Sequence, residues 1–206
     1  MASEARIVGS RARVVIGLGG LRDALVQSHP AAILSFGICG ALDPGLKVGD
    51  LVIGSAVNGL QTDPEWTTRL AACLPDARVG GFAAGDEMVA DASAKAALRV
   101  QSGAMAVDME SHLVAGVGIP FAILRVVSDL ADQSLPPAAR VGLKADGRPD
   151  ISAVLKSLLA DPRQARALIR TARDVETAYR ALGNALDFLG PRIGRLNLGE
   201  HLVDMA

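Results

Sequence analysis

"AMAVDMESHLVAGVGIPFAILRVVSD", residues 104–129, decides the fold class. Its first six residues read as a short strand that ends on an acid pair. "ESHLVAGVG" then reads as a helix that stops at glycines ahead of Pro120. "FAILRVV" (121–127) is a β-branched, nearly continuous apolar run, the pattern of a strand covered on both faces. Strand, helix and strand in this order form the unit of a sheet with helices packed on it. The same stretch poses a question, because Asp129 stands directly behind a buried strand, where a charge is costly to place.

Outward from this unit the alternation continues. "RARVVIG" (11–17) and "AAILSFG" (31–37) have the same buried-strand pattern, and "GLRDALVQSH" between them sets Leu21, Leu25 and Val26 on one side of a short helix. The turn-rich link "LDPGLKV" leads into strand "GDLVIGSAV" (49–57). "ARVGGFAAG" (77–85) is a weaker strand whose glycines suggest a bulge or the close approach of another group. "DASAKAALRVQ" (91–101) has a helical rhythm with Asp91 at its N-cap. The class this predicts is α/β: a three-layer α/β/α domain with a mixed, largely parallel central sheet.

Beyond residue 133 the pattern changes to a loop, "SLPPAARVGLKADGRPD". Asp150 can cap "ISAVLKSLLA". Asp161 and Pro162 open a long helix whose Leu168, Ile169, Ala172, Val175, Tyr179, Leu182, Leu186 and Leu189 share a packing face. Residues 1–206 are expected to form one domain, with 1–133 as the α/β core and 134–206 as loop, helices and tail packed on it.

Composition removes several function classes. A formal charge of −1 with no long basic run argues against electrostatic capture of nucleic acid. Cys39 and Cys73 are the only cysteines, and His29, His112 and His201 are scattered, so no zinc ligand set is expected. "MASEARIVGS" carries no apolar signal region, and nowhere do eighteen apolar residues run together. The expectation is a reduced, cytoplasmic chain without a membrane span.

Ligands of open α/β sheets bind outside the carboxyl ends of strands. "FGICGAL", "VDMES" and "VSDLAD" place polar groups at three such ends. Each has a bland reading: a Gly-rich turn is usually only a turn, and an acid pair after a strand usually caps a helix. Their order and spacing say more. "ILSFGICGALDPGLKVGDLVIG", "AAGDEMV" and "AVDMESHLVAGVGIPFAILRVVSDLADQ" together resemble the nucleoside phosphorylase and nucleosidase superfamily, of the purine and uridine phosphorylase type. The likeness covers roughly residues 15–133 and is strongest to the nucleosidases that cleave methylthioadenosine. The C-terminal part is similar to the hopanoid-associated phosphorylases, a subgroup credited with removing adenine from adenosylhopane.

The resemblance implies roles. Glu110 matches the acid that grips both ribose hydroxyls, a task suited to a carboxylate because it accepts from two donors at once; otherwise it is a first-turn helix residue favoured by the dipole. Met109 matches the side chain beneath the sugar, and Asp108 supports the site. Asp129 matches the acid facing purine N7, and burial at a strand end, by disfavouring the charged form, favours the proton a general acid must hold. Ser128 would hold Asp129, and Asp132 would cap the next turn. Met88 and Val89 match positions flanking the base, with ordinary core residues as the alternative. The backbone of Gly37, Ile38, Cys39 and Gly40 would lie near the ribosyl group and its attacker, since missing side chains admit a close approach. Cys39 itself reads as an apolar filler.

The attacking group is less marked. Purine phosphorylases carry an Arg and a Ser around this Gly turn, where the chain has Ser35 and Ile38. Nucleosidases carry a catalytic Glu after a first strand, and here Glu4 lies near the matching place. Glu4 as base for water, or Arg6 with Gly19 and Gly20 as a phosphate site, are both open. A strand missing at the start would leave a sheet edge unpaired. The leading expectation is phosphorolysis of an adenine nucleoside with an apolar 5′ substituent, lipid-linked in the hopanoid case, with Leu135, Pro136 and Pro137 beside that substituent. No cofactor is expected beyond inorganic phosphate as co-substrate, and the enzyme is expected to be a homo-oligomer. A methylthioadenosine-type hydrolase and a nucleoside-binding protein without turnover are the alternatives.

Overall fold

The computed structural model describes residues 17–141 and 150–190. In chain order the helices are α1 (Gly17–Ser28), α2 (Pro64–Cys73), α3 (Ala92–Ser102), α4 (Ser111–Ala115), α5 (Pro137–Arg140), α6 (Ile151–Ala160) and α7 (Ala165–Leu189). The strands are β1 (Ile33–Ala41), β2 (Leu51–Val57), β3 (Leu60–Gln61), β4 (Arg78–Ala84), β5 (Ala106–Asp108) and β6 (Phe121–Asp129).

All nine residues of β6 are buried, as its unbroken apolar run requires. Its two faces serve different layers. Phe121, Ile123 and Val127 join Cys39, Val52, Phe82 and Val114 in one core cluster. Ala122 and Leu124 pack with Trp66 and Leu70 of α2 and Leu186 and Leu189 of α7, and Val126 packs with Ala178 and Leu182. Arg125 falls on the alternation of the first face.

The sheet is mixed, and helices flank it, as expected. β6 runs parallel to β1 and antiparallel to β2, while β2–β4 and β4–β5 are parallel and β5 returns antiparallel to β1. The β2–β6 pairing closes these five strands on themselves, and β3 hangs from β2 as a short antiparallel extension. Each strand of the ring therefore has two neighbours. β1 meets β5 only through Gly40 and Ala41, so among the described residues Ile33–Cys39 are paired on the β6 side alone, the kind of edge that a missing first strand would leave. Strand 11–17 falls largely outside the described residues, and Gly17 already belongs to α1.

Local signals account for most boundaries. Asp150 accepts from the Ala153 N–H as the cap of α6, and Asp161 accepts from Arg163 N–H at a 3₁₀ turn, 162–164, that leads into α7. The expected face of α7 holds for Leu182, Leu186 and Leu189, but Ile169 and Ala172 are exposed because only the C-terminal half of the helix lies on the sheet. Asp91 stands at the N-cap of α3 without a capping bond, since its carboxylate pairs with Arg140 instead. The sequence reading passed over α2, whose Asp63-Pro64 start carries the same signal as Asp161-Pro162; Asp63 accepts from Trp66 N–H at 2.8 Å. The reading of residues 37–40 as a turn is corrected: β1 continues through them to Ala41.

No described helix is long and apolar enough to cross a membrane. Among the described residues no cluster of His, Cys, Asp or Glu could hold a metal ion.

Candidate active site

The carboxyl ends of β5 and β6 meet at the end of β1, where Gly40 lies beside Val107 on one side and Asp129 on the other. Two polar systems are built there.

The first is centred on Arg125, only 3% exposed. Its guanidinium Nη2 donates to Ser35 Oγ at 2.8 Å, and Nη1 lies 3.5 Å from the Ile38 carbonyl. Nε is 3.3 Å from Asp108 Oδ2 but is misaligned for a hydrogen bond, so this contact is Coulombic. Asp108 in turn accepts from the backbone N–H groups of Glu110 and Ser111 at 2.8 and 2.7 Å and from the Ser111 hydroxyl. Asp108 thus caps α4, and the carboxylate of Glu110, at the N-cap position, makes no capping bond. The Glu110 side chain remains 35% exposed, its Oε2 3.5 Å from Arg125 Nη2. It is aimed by its neighbours and open to a ligand.

The second system is centred on Asp129, 8% exposed. Between Cys39 and Gly40 the register with β6 slips: Cys39 pairs with Val127 and Gly40 with Asp129, leaving Ser128 as an extra residue. A bulge of this kind re-aims side chains at a strand end. Here the Ser128 hydroxyl lies 3.1 Å from the Cys39 carbonyl and 2.9 Å from Asp129 Oδ1, either of which it can donate to. The expectation that Ser128 contacts Asp129 is met. The fully buried Lys95 of α3 donates to Asp129 Oδ2. The buried carboxylate of Asp129 thus has an ammonium partner as well as the Ser128 hydroxyl.

Gly40 has a steric reason to be glycine: a Cβ there would sit 2.9 Å from Asp129 Oδ2. Between the two systems lies Cys39. Burial, then Asp108, push its thiol well above the usual range, Arg125 works against them, and Asp129 adds to the rise. It stays a thiol, as a filler should.

The remaining expected site residues separate. Met88 and Met109 are large apolar side chains left 37% and 43% exposed. Val89 instead packs against the cluster of Leu42, Ala83, Ala104 and Val107, so its core alternative holds. Leu135 and Pro136 are already buried against their own chain, with Leu135 N–H bonded to the Ala90 carbonyl, and Pro137 is the exposed one of these three residues. Asp132 is exposed. Gly19 and Gly20 lie in the first turn of α1, and Glu4 and Arg6 lie outside the described residues. A separate cleft of about 400 Å³, lined by Lys47, Asp50, Asp76 and Arg78 among others, shares no residue with the site. Sequence reasoning missed Lys95, although its spacing of three from Leu98 sets it on the inward face of α3.

A closed mixed sheet whose β5 and β6 ends bring Glu110 and Asp129 to either side of one glycine-rich strand agrees with the comparisons. The profile of the phosphorylase superfamily matches residues 21–66 and 56–160, and the chain belongs to that family. The fold is similar to that of 5′-methylthioadenosine/S-adenosylhomocysteine nucleosidase from Neisseria meningitidis, with a TM-score of 0.60 and 20% identity over 87% of this chain and 76% of that one. The corresponding nucleosidase from Helicobacter pylori gives a TM-score of 0.54 at 20% identity, over 82% and 74% of the two chains. A futalosine hydrolase mutant from the same organism gives 0.53 at 19% identity, over 76% and 74%.

Proposed function

We propose that this protein cleaves the N-glycosidic bond of an adenine nucleoside, with Glu110 holding the ribose hydroxyls and Asp129 giving a proton to N7 of the departing base. One observation carries the reading. Arg125, which flanks Glu110, reaches the Ile38 carbonyl, and Ser128, which flanks Asp129, reaches the carbonyl of the next residue, Cys39. The two carboxylates are therefore linked, through Arg125 and Ser128, to adjacent residues of one strand. Met109 beside Glu110, and Met88, offer apolar surface to sugar and base. The family membership and the nucleosidase-like fold support the same class of chemistry.

Phosphate is the acceptor that the C-terminal resemblance implies, with a substrate carrying an apolar 5′ substituent such as a hopanoid. A second reading, hydrolysis, is favoured by one feature. Phosphorolysis needs cations for the anion, and the two buried cations at this site among the described residues, Lys95 and Arg125, are both engaged in internal pairs. The test is to incubate 5′-substituted adenosines with the protein, with phosphate present or stripped, and to follow adenine and the sugar product. Phosphate-dependent release with ribose 1-phosphate esters establishes phosphorolysis; phosphate-independent release with the free sugar establishes hydrolysis. Binding without release in either buffer overturns the proposal in favour of a binding protein.

The close contact at Gly40 gives a more local expectation. Gly40→Ala drives a methyl group against Asp129 Oδ2, and displacing an acid by a fraction of an ångström from the base it protonates should slow adenine release about 10²-fold. Steady-state rates on folded protein check this, and an unchanged kcat would remove Asp129 from the proton-donor role.

A further inference from the structure

A lysine that is 0% exposed is uncommon and costly, because the ammonium loses its hydration entirely. Lys95 recovers this through three acceptors: Asp129 Oδ2, the Leu130 carbonyl at 2.8 Å and the Gln133 carbonyl at 3.1 Å. Its three donors are thereby all used. Stability is a poor explanation for such a pair, since apolar residues of similar volume commonly serve a core as well or better. On this inward face of α3 the neighbouring positions are already Ala92 and Leu98. What distinguishes Lys95 is its partner, the carboxylate on which the proposed chemistry turns.

We propose that Lys95 is a positioning residue for glycosidic cleavage: it fixes the Asp129 carboxyl against the base and compensates the negative charge left there when the proton departs. The inference rests on the reading of Asp129 as the proton donor. In the step, the bond between N9 and C1′ breaks and its electron pair stays with the base. The proton on Asp129 passes to N7, so the base leaves neutral. Asp129 becomes a carboxylate lying against the Lys95 ammonium, which is the arrangement seen in the structure. The cationic sugar is met by the acceptor oxygen, and solvent returns a proton to Asp129.

Other charged and titratable groups face this pair. Cys39 of β1 stands between, its thiol acted on by Asp129 and also by Asp108 of β5 and Arg125 of β6, and Glu110 lies beyond Arg125. Asp174 of α7 binds Gln133, and Arg99, one turn along α3, is paired with Asp43. Arg125 is held by Asp108 and Ser35, which leaves Lys95 as the cation bonded to Asp129 among the described residues.

The experiment compares wild type with Lys95→Met and Lys95→Arg on two substrates across pH. One is an adenine nucleoside found active above. The other is 4-nitrophenyl β-D-ribofuranoside, whose phenolate leaves without a proton. Lys95→Met is expected to lose at least tenfold in kcat on the nucleoside and less than threefold on the nitrophenyl riboside. Without the cation Asp129 keeps its proton to higher pH, so the falling limb of the nucleoside pH–rate profile should move upward. Lys95→Arg, which retains a cation, should keep the limb in place. If Lys95→Met does not fold, Lys95→Gln is read by the same criteria. Equal losses on both substrates, or an unmoved limb, overturn the proposal and make Lys95 structural. A wild-type protein that cleaves neither substrate refutes the functional reading itself, a result separable from active wild type with indifferent Lys95 variants.

Discussion

Asp129→Asn lowers the rate of adenine release by about 10²–10⁴-fold, the range a positioned general acid contributes. The amide keeps the shape, and its one oxygen can still accept from Lys95 while its NH2 faces the Ser128 hydroxyl, but it has no acidic proton to give to N7. The same change leaves the Lys95 ammonium without its counter-charge, and breaking a buried pair from one side costs about 3–5 kcal/mol. Activity is therefore to be measured where circular dichroism shows the variant folded. The two effects separate on a substrate whose leaving group needs no proton: the catalytic loss vanishes there, whereas damage to the site persists. Full adenine release by the folded variant would remove the proposed mechanism.

Arg125→Met should also destabilise the protein strongly, by about 3–5 kcal/mol. Methionine fills much of the same volume, so the cost is electrostatic. Asp108, whose side chain is 1% exposed, would lose the guanidinium 3.3 Å away and remain as an uncompensated charge in the core. Ser35 would lose its 2.8 Å donor as well. For a domain of this size the loss corresponds to a melting temperature lower by roughly 6–20 °C. Adding Asp108→Asn should return part of this stability, since it removes the stranded charge while keeping an acceptor for the Glu110 and Ser111 amides. Chemical denaturation of the single and double variants measures the coupling. Strictly additive losses would show that the pair contributes nothing.

The reading of the sequence succeeded where one physical demand dominates. The apolar run 121–127 has no option but a doubly covered strand, and Asp150 and Asp161 announce helices because a short acceptor before a helix meets unpaired N–H groups. Glu110 and Asp129 stood out through their order and spacing with neighbours of matching chemistry. Failures arose where tertiary contact decides. Gly37 and Gly40 look like turn residues, yet β1 runs through them, and Gly40 is needed because a carboxylate from the adjacent strand lies across it. Lys95 in an alanine-rich helix reads as a solvated charge unless one knows that Asp129 sits opposite. Nor does local pattern reveal that β2 and β6 pair, since ring closure depends on strands distant in sequence.

That closure has a kinetic consequence. The last strand seals the structure from both sides, with Phe121 beside Ile33 and Val126 beside Leu51. Bringing such remote segments together exacts a large loop-closure entropy before any contact rewards it, so refolding is expected on the slow side for a chain of this length. During synthesis the nascent chain would expose β1 and β2 without their shared neighbour until residue 129 leaves the ribosome, a window in which a chaperone has most to protect.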